Sequence, residues 1–350
     1  MCCFRIFCDG SHRIASLVDY LGDRVQESLR EAVYKKAAID TANEMKCNVT
    51  AFNGNRSNLE FHLMKSLAEK EEFHSFITYI KEPKAAFEIF IKECVDQYYR
   101  DNSRSICDAL KINLDRFTKL IHSAIETSCS ITISRQGDVS SWLDTFCSEL
   151  SAHLTLSHSD LKGVKHHDID LLKEAMTNSL EKVMENLKEE FSLCDVSNIN
   201  AKPYEILYEQ LAGCWETCPF CKAVCTNTVP GHEEDHSVKF HRSQGISGQR
   251  FHKTDHLVTD ICSSYVVSDE CFMLNDKDRH PYREYRTAGL PYSEWSITPD
   301  LSSLNYWKWA VCRFQSDFEK YYNKKFEGKG EIPSRWREIT KQDAISEIDR

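Results

Sequence analysis

The chain has 350 residues, 28% of them charged, a net charge of −10, 16 cysteines and 14 histidines. That length accommodates two or three domains, and the acidic balance argues against general binding to nucleic acid or anionic membrane, which favour basic surfaces. Met1-Cys2-Cys3-Phe4-Arg5 is too poor in apolar residues for a signal peptide, and no apolar run approaches the roughly 18 residues of a membrane span. The cysteines are therefore expected as reduced thiols in the cytosol rather than as a secreted disulfide framework, and the sequons at Asn48 and Asn55 as chance matches.

Proline partitions the chain. Only Pro83 precedes residue 200, whereas Pro203, Pro219, Pro230, Pro281, Pro291, Pro299 and Pro333 follow it. Because proline breaks helix interiors, residues 1–200 are expected as a helical bundle and residues 201–350 as a Cys/His-rich α+β domain, giving a mostly α fold. In chain order, Leu17, Leu21, Val25, Leu29 and Val33 recur every four residues and predict a first helix. Phe87, Phe90, Ile91, Cys94, Val95 and Tyr98 form a second apolar face; Leu110, Leu114, Phe117, Ile121 and Ile125 form a third. His166-His167 reads as a solvated pair. Leu172, Met176, Leu180, Val183, Leu187 and Phe191 then mark a Lys- and Glu-rich helix after Asp168. Antiparallel packing of such helices makes a bundle, with no active site required of it.

Beyond residue 200 the elements shorten. The β-branched run from Val258 to Val267 predicts a strand. Trp307, Ala310, Val311, Phe314, Phe318 and Tyr321 predict one amphipathic helix, Gly328 and Gly330 end it, and Thr340-Lys341-Gln342-Asp343 reads as a capping box opening a last short helix. The helical spacing of the late tryptophans favours core packing over base stacking.

The richest chemistry lies between Cys214 and Cys271. Cys218-Pro219-Phe220-Cys221 has the form of a metal knuckle, and thiolate sulfur and imidazole nitrogen are the donors of tetrahedral zinc. Cys218, Cys221, His236 and His241 are the leading ligands of a structural zinc, with Cys225 and His232 in reserve and Cys214 as packing or an alternative ligand. His252, His256, Cys262 and Cys271 are candidates for a second ion. Catalytic readings fail on order and identity. In His252-Lys253-Thr254-Asp255-His256 a lysine holds the place of the metalloprotease glutamate, and His232-Glu233-Glu234 follows its cysteine pair instead of preceding it as in zinc deaminases. No G-x-x-x-x-G-K-[S/T] loop exists to cradle phosphates, and no local signature supports a cysteine nucleophile.

The segments Gly213 to Ala223, Pro230-Gly231-His232, Asp235 to Arg242, His252 to His256, Trp295 to Asp300, Tyr306 to Trp309 and Trp336 to Asp343 resemble the C-terminal region of the interferon-induced very large GTPase family. The resemblance implies a very large cytosolic and nuclear protein whose dynamin-like GTP-binding domain lies upstream. No residue here corresponds to that domain, so no GTP site is carried over. The chain then reads as a piece of a larger protein or a paralogue reduced to the tail. The expected role is a non-catalytic, zinc-stabilised scaffold or interaction module in cell-autonomous immune defence, with protein partners or self-association, no membrane and little affinity for nucleic acid. The alternative is a zinc-dependent nucleic-acid-binding or hydrolytic module.

Overall fold

The structure, a computed structural model, describes residues 10–156, 168–192, 202–275, 277–300 and 304–348; His166-His167 lies outside them. Among the described residues the architecture is mostly α-helical with one two-stranded sheet. The chain divides into two compact units, Met1–Glu44 with Asp96–Pro203, and Met45–Val95 with Tyr204–Arg350. The C-terminal division falls between Pro203 and Tyr204. Residues 45–95, however, group with the C-terminal segment and not with the helices on either side of them, so the second unit is built from two separated stretches of chain.

The first unit contains most of α1 (Gly10–Asn48), and its last turn belongs to the second. The second unit gains α2 (Arg56–Lys70), α3 (Phe73–Lys81) and the first turns of α4 (Pro83–Asp101), where Pro83 occupies the first helical position and its missing N–H costs nothing. The first unit continues with α5 (Ser103–Ser134), α6 (Val139–Leu150) and α7 (Ile169–Ser192), and α5 packs against both α6 and α7. Its core takes Leu17, Leu21, Val25, Leu29 and Val33 from α1, Leu110, Leu114, Ile121 and Ile125 from α5, and the whole Leu172-to-Phe191 stripe from α7. Asp138 opens α6 in a reciprocal capping box with Ser141, and Trp142 stacks on Phe146 at 4.8 Å inside the core. Arg30 clamps α1 to α7 through a forked pair with Glu190, Nε to Oε1 and Nη2 to Oε2 both at 2.9 Å. The pair is about one-third exposed, so it orients the helices more than it stabilises them.

In the second unit the chain resumes with α8 (Pro203–Leu211), then an irregular Cys/His segment leading to α9 (Cys262–Tyr265). Strands β1 (Cys271–Met273) and β2 (Arg279–Pro281) pair antiparallel with Phe272 opposite His280. The unit closes with α10 (Asn305–Arg313), α11 (Gln315–Tyr322) and α12 (Lys341–Ile348). The Thr340–Asp343 capping box is present: Asp343 N–H donates to Thr340 Oγ1 at 3.1 Å and Thr340 N–H to Asp343 Oδ2 at 3.0 Å. Aromatic rings join the two stretches of chain, Phe76 to Phe314 at 5.0 Å and Tyr79 stacked on Trp307 at 6.5 Å, while Tyr306 Oη donates to Met64 O at 2.8 Å.

Two expected elements differ. The Val258–Val267 run is not a strand: it meets its neighbours through isolated bridges, Ser243 with Ile261 and Arg250 with Leu257, and then turns into α9. Strand preference is a statement about packing, and here the chain must turn at Cys262 to bury that thiol. The single helix expected over Trp307–Tyr321 is two, broken at Phe314 (φ −108°, ψ 19°), which lets Trp307, Phe314 and Phe318 all be buried while Tyr321 stays exposed. No helix among the described residues is long and apolar enough to cross a membrane.

Because Leu187 is fully buried in the first unit's core, Leu187→Ala is expected to cost about 2–5 kcal/mol. Urea unfolding followed by helical circular dichroism measures it; a loss below about 1 kcal/mol would show the stripe is not core.

Candidate metal centre

The Cys/His segment begins with a close approach of backbone to backbone. Gly213 has φ +124°, and a Cβ there would meet Asn227 O at 2.5 Å, so only glycine fits. That approach lets Cys214 N–H donate to Asn227 O at 2.9 Å. Between these ends the chain folds into a hairpin in which Thr217 bridges Val224. Cys225 N–H donates to Glu216 O and Cys218 N–H to Ala223 O, both at 2.8 Å, and Lys222 N–H donates to Cys218 O at 3.0 Å. Lys222 takes a left-handed φ of +59° to complete the turn, a conformation that costs a side chain about 1 kcal/mol or more.

Two crossings then deliver the remaining donors. The Ser243–Ile261 bridge sets His241 and Cys262 beside the hairpin. His236 N–H donates to Glu294 O and Ser296 N–H to His236 O, both at 2.8 Å, which fixes His236 against Trp295.

The result is two groups of four donors, within each of which the ligand atoms lie within 4.8 Å of one another. Cys218, Cys221, His241 and Cys262 form the first group, all of them buried. Cys218 Sγ lies 3.9 Å from Cys262 Sγ, and His241 Nδ1 is 3.4 Å from Cys221 Sγ and 3.0 Å from Cys262 Sγ. Cys214, Cys225, His232 and His236 form the second group, its cysteines buried and its histidines half-buried. There His236 Nδ1 is 3.5 Å from Cys214 Sγ, His232 Nε2 is 3.5 Å from Cys225 Sγ, and the two nitrogens are 3.1 Å apart. A tetrahedron with metal–nitrogen and metal–sulfur bonds of 2.0–2.3 Å has edges of about 3.3–3.8 Å. Either group can hold a metal ion.

This sorting differs from the spacing-based set. Cys218, Cys221 and His241 come together, but the fourth member is Cys262, and His236 belongs with the reserves Cys225 and His232 and with Cys214. The expected site of His252, His256, Cys262 and Cys271 is not assembled: His252 is exposed, His256 Nε2 faces Glu327 Oε1 at 3.4 Å, Cys271 is exposed, and Cys262 is committed to the first group. Spacing pairs donors that are near in sequence, whereas the two crossings pair His241 with Cys262 across 21 residues and send His236 to the other side.

Electrostatics in the first group favour a shared anion. Burial pushes the Cys218 and Cys262 thiols up. Burial pushes Cys221 up as well, but hydrogen bonds from Cys218 and Cys262 and the adjacent His241 ring outweigh it and hold that thiol well below the ordinary range.

Two buried arginines, neither foreseen from the sequence, carry the segment. Arg242 donates from Nε to Cys221 O at 3.0 Å and from Nη2 to Lys222 O at 2.7 Å, so it grips the knuckle's backbone, and its guanidinium faces the Tyr79 and Trp307 rings at 5.6 and 5.8 Å. Arg56 donates from Nη1 to Cys214 O at 2.5 Å and lies 3.9 Å from the Trp215 ring centroid. Its Nη2 is buried without a hydrogen bond among the described residues, and the Trp215 face is its compensation. The fully buried Glu60 accepts from Tyr79 Oη at 2.6 Å; burial raises its carboxyl while Tyr79, Arg56 and Arg242 pull it back.

Residues 214–348 match the family model described as "Interferon-induced very large GTPase 1, C-terminal domain". The resemblance read from the residues is thereby shown: the chain bears the C-terminal domain of that family, which is not its GTPase domain. Over 351 aligned residues covering 99% of the chain, it is 40% identical to interferon-induced very large GTPase 1 of Mus musculus and 38% identical to that of Homo sapiens. The chain spans 14% of the length of these curated relatives. No solved structure matches.

Arg56→Ala strips Cys214 O of its donor and leaves Glu60 without one of the two cations acting on it, so a loss of about 3–5 kcal/mol in the second unit is expected by urea unfolding. Arg56→Lys recovers little of it, because a lysine cannot reproduce the stacked, planar fork. Wild-type stability in either variant would remove Arg56 from this role.

Proposed function

We propose that this chain is a zinc-stabilised, non-catalytic interaction module of an interferon-induced very large GTPase-like protein, acting in cell-autonomous immune defence through protein partners or self-association. The observation that carries the reading is the buried Cys218–Cys221–His241–Cys262 group. Three sulfurs and one nitrogen are a structural zinc set: four protein donors leave no coordination position for water or substrate, and thiolates select zinc over the harder magnesium and calcium. Bound there, zinc would supply cross-linking of the hairpin to the His241 and Cys262 segments rather than Lewis-acid chemistry. The defence role rests on the relatives' printed name. The described cysteines are all unpaired, which supports a reducing compartment, and we assign the chain to the cytoplasm and also the nucleus.

Two measurements test this. Cys262→Ser should release zinc and expose the chain beyond residue 204 to protease while the first unit stays folded, since a structural zinc contributes on the order of 10 kcal/mol in small modules. Equal thermal stability with and without a strong chelator would end the proposal. Calorimetry with magnesium and GTP should give no binding, because no phosphate-cradling loop is present in the sequence; micromolar, magnesium-dependent affinity would overturn the non-catalytic assignment.

A further inference from the structure

We infer that the second unit takes two zinc-type ions, the second held by Cys214, Cys225, His232 and His236, and that the two sites are interlocked along the chain. The inference builds on the zinc reading above for the first ion and adds a site that the spacing of the sequence does not define.

The second group is positioned by the chain around it. Asn227 N–H donates to Cys225 sulfur at 3.5 Å, from two residues further on, and a bond of that kind orients a ligating sulfur. All three segments that bring the donors are pinned independently of any ion. Cys214 is held by Asn227 and Arg56, and Cys225 by Glu216. The His232–His236 loop is anchored by a forked pair of Arg286 with Asp235, at 2.5 and 2.9 Å, and by the His236–Trp295 bridge. Two thiolates and two neutral imidazoles neutralise a divalent cation without a counter-charge. Three thiolates in the first group leave one negative charge, and there Arg242 lies on the ligand backbone.

Chain order supplies the interlock. The donors run Cys214 (second), Cys218 and Cys221 (first), Cys225, His232 and His236 (second), His241 and Cys262 (first). The knuckle of the first site therefore hangs inside the loop that Cys214 and Cys225 close. Three donors of the second site in turn lie inside the loop closed by Cys221 and His241. Releasing either ion slackens the interior of a loop that the other closes, so the first site is expected to lose affinity when the second is emptied.

Native mass spectrometry of the full 350-residue chain, purified with zinc under reducing conditions, tests this. The wild type should carry two zinc ions, and His232→Ala with His236→Ala should carry one, surrendered to chelator at a concentration at least tenfold lower than in the wild type. Two ions retained by the double variant would overturn the inference. So would a single ion in the wild type that Cys262→Ser removes and the histidine changes do not; that result leaves the one-zinc reading standing. An ion lost with the histidines but kept in Cys262→Ser, or no ion at all, overturns both. If the double variant fails to fold, alkylation of the wild type decides. Cys214 and Cys225 should resist iodoacetamide with zinc bound and react after chelation; labelling indifferent to chelator, or a Cys214–Cys225 disulfide, sinks the second site.

Discussion

The second unit depends on burying two guanidinium groups where a single carboxylate is also buried. Arg56 and Arg242 each donate to backbone oxygens of the Cys/His segment, and Glu60, bonded to Tyr79, sits close enough for both to act on its charge. Charges of this kind are tolerated inside a protein only when every partner is in place, and removing one strands the others. The cluster therefore makes the helices of residues 56–81 and the hairpin of residues 214–225 mutually obligatory. Neither aromatic stacking nor the short sheet, whose strands contribute three residues each, supplies a constraint of that strictness.

How much of this could be read in the residues follows from what each signal measures. The four-residue periodicity of Leu17 to Val33 and of Leu172 to Phe191 reports one helix face, and every one of those residues is buried. Thr340 and Asp343 were equally legible, since a capping box is local in sequence. The Val258–Val267 run misled because β-branched residues record burial on both sides, which an irregular buried segment also provides. The Trp307-to-Tyr321 periodicity survived a break at Phe314 because the two short helices keep the same apolar residues inward.

The metal donors divide along the same line. Cys218 and Cys221 are a local motif, and the structure keeps them in one group. Whether His236 or Cys262 completes their set is decided by non-local bridges, Ser243 to Ile261 and His236 to Trp295, that no spacing rule encodes. Ten Cys and His side chains lie from Cys214 to Cys262, and only the fold separates the eight that form two sets of four from His252 and His256. Arg56 and Glu60 carried no signal at all, because an i,i+4 ion pair on a helix usually faces solvent.

The discontinuity of the second unit has a consequence for synthesis. Helices α2 and α3 leave the ribosome more than a hundred residues before the hairpin they enclose, and at 5–20 residues per second the wait is on the order of ten seconds. During that interval Phe76 lacks the Trp307 and Phe314 rings, and Arg56 lacks Cys214 O and the Trp215 ring, with only Tyr79 and Phe87 at hand for Glu60 and Arg56, while the intervening unit can complete its local helix pairings. The nascent chain thus carries an unpaired half-core past a finished neighbour. The same geometry governs any shorter piece: one that starts at residue 201, or at the start of the matched family domain at 214, omits both Arg56 and Glu60 and leaves the Arg242 side of the hairpin open to water.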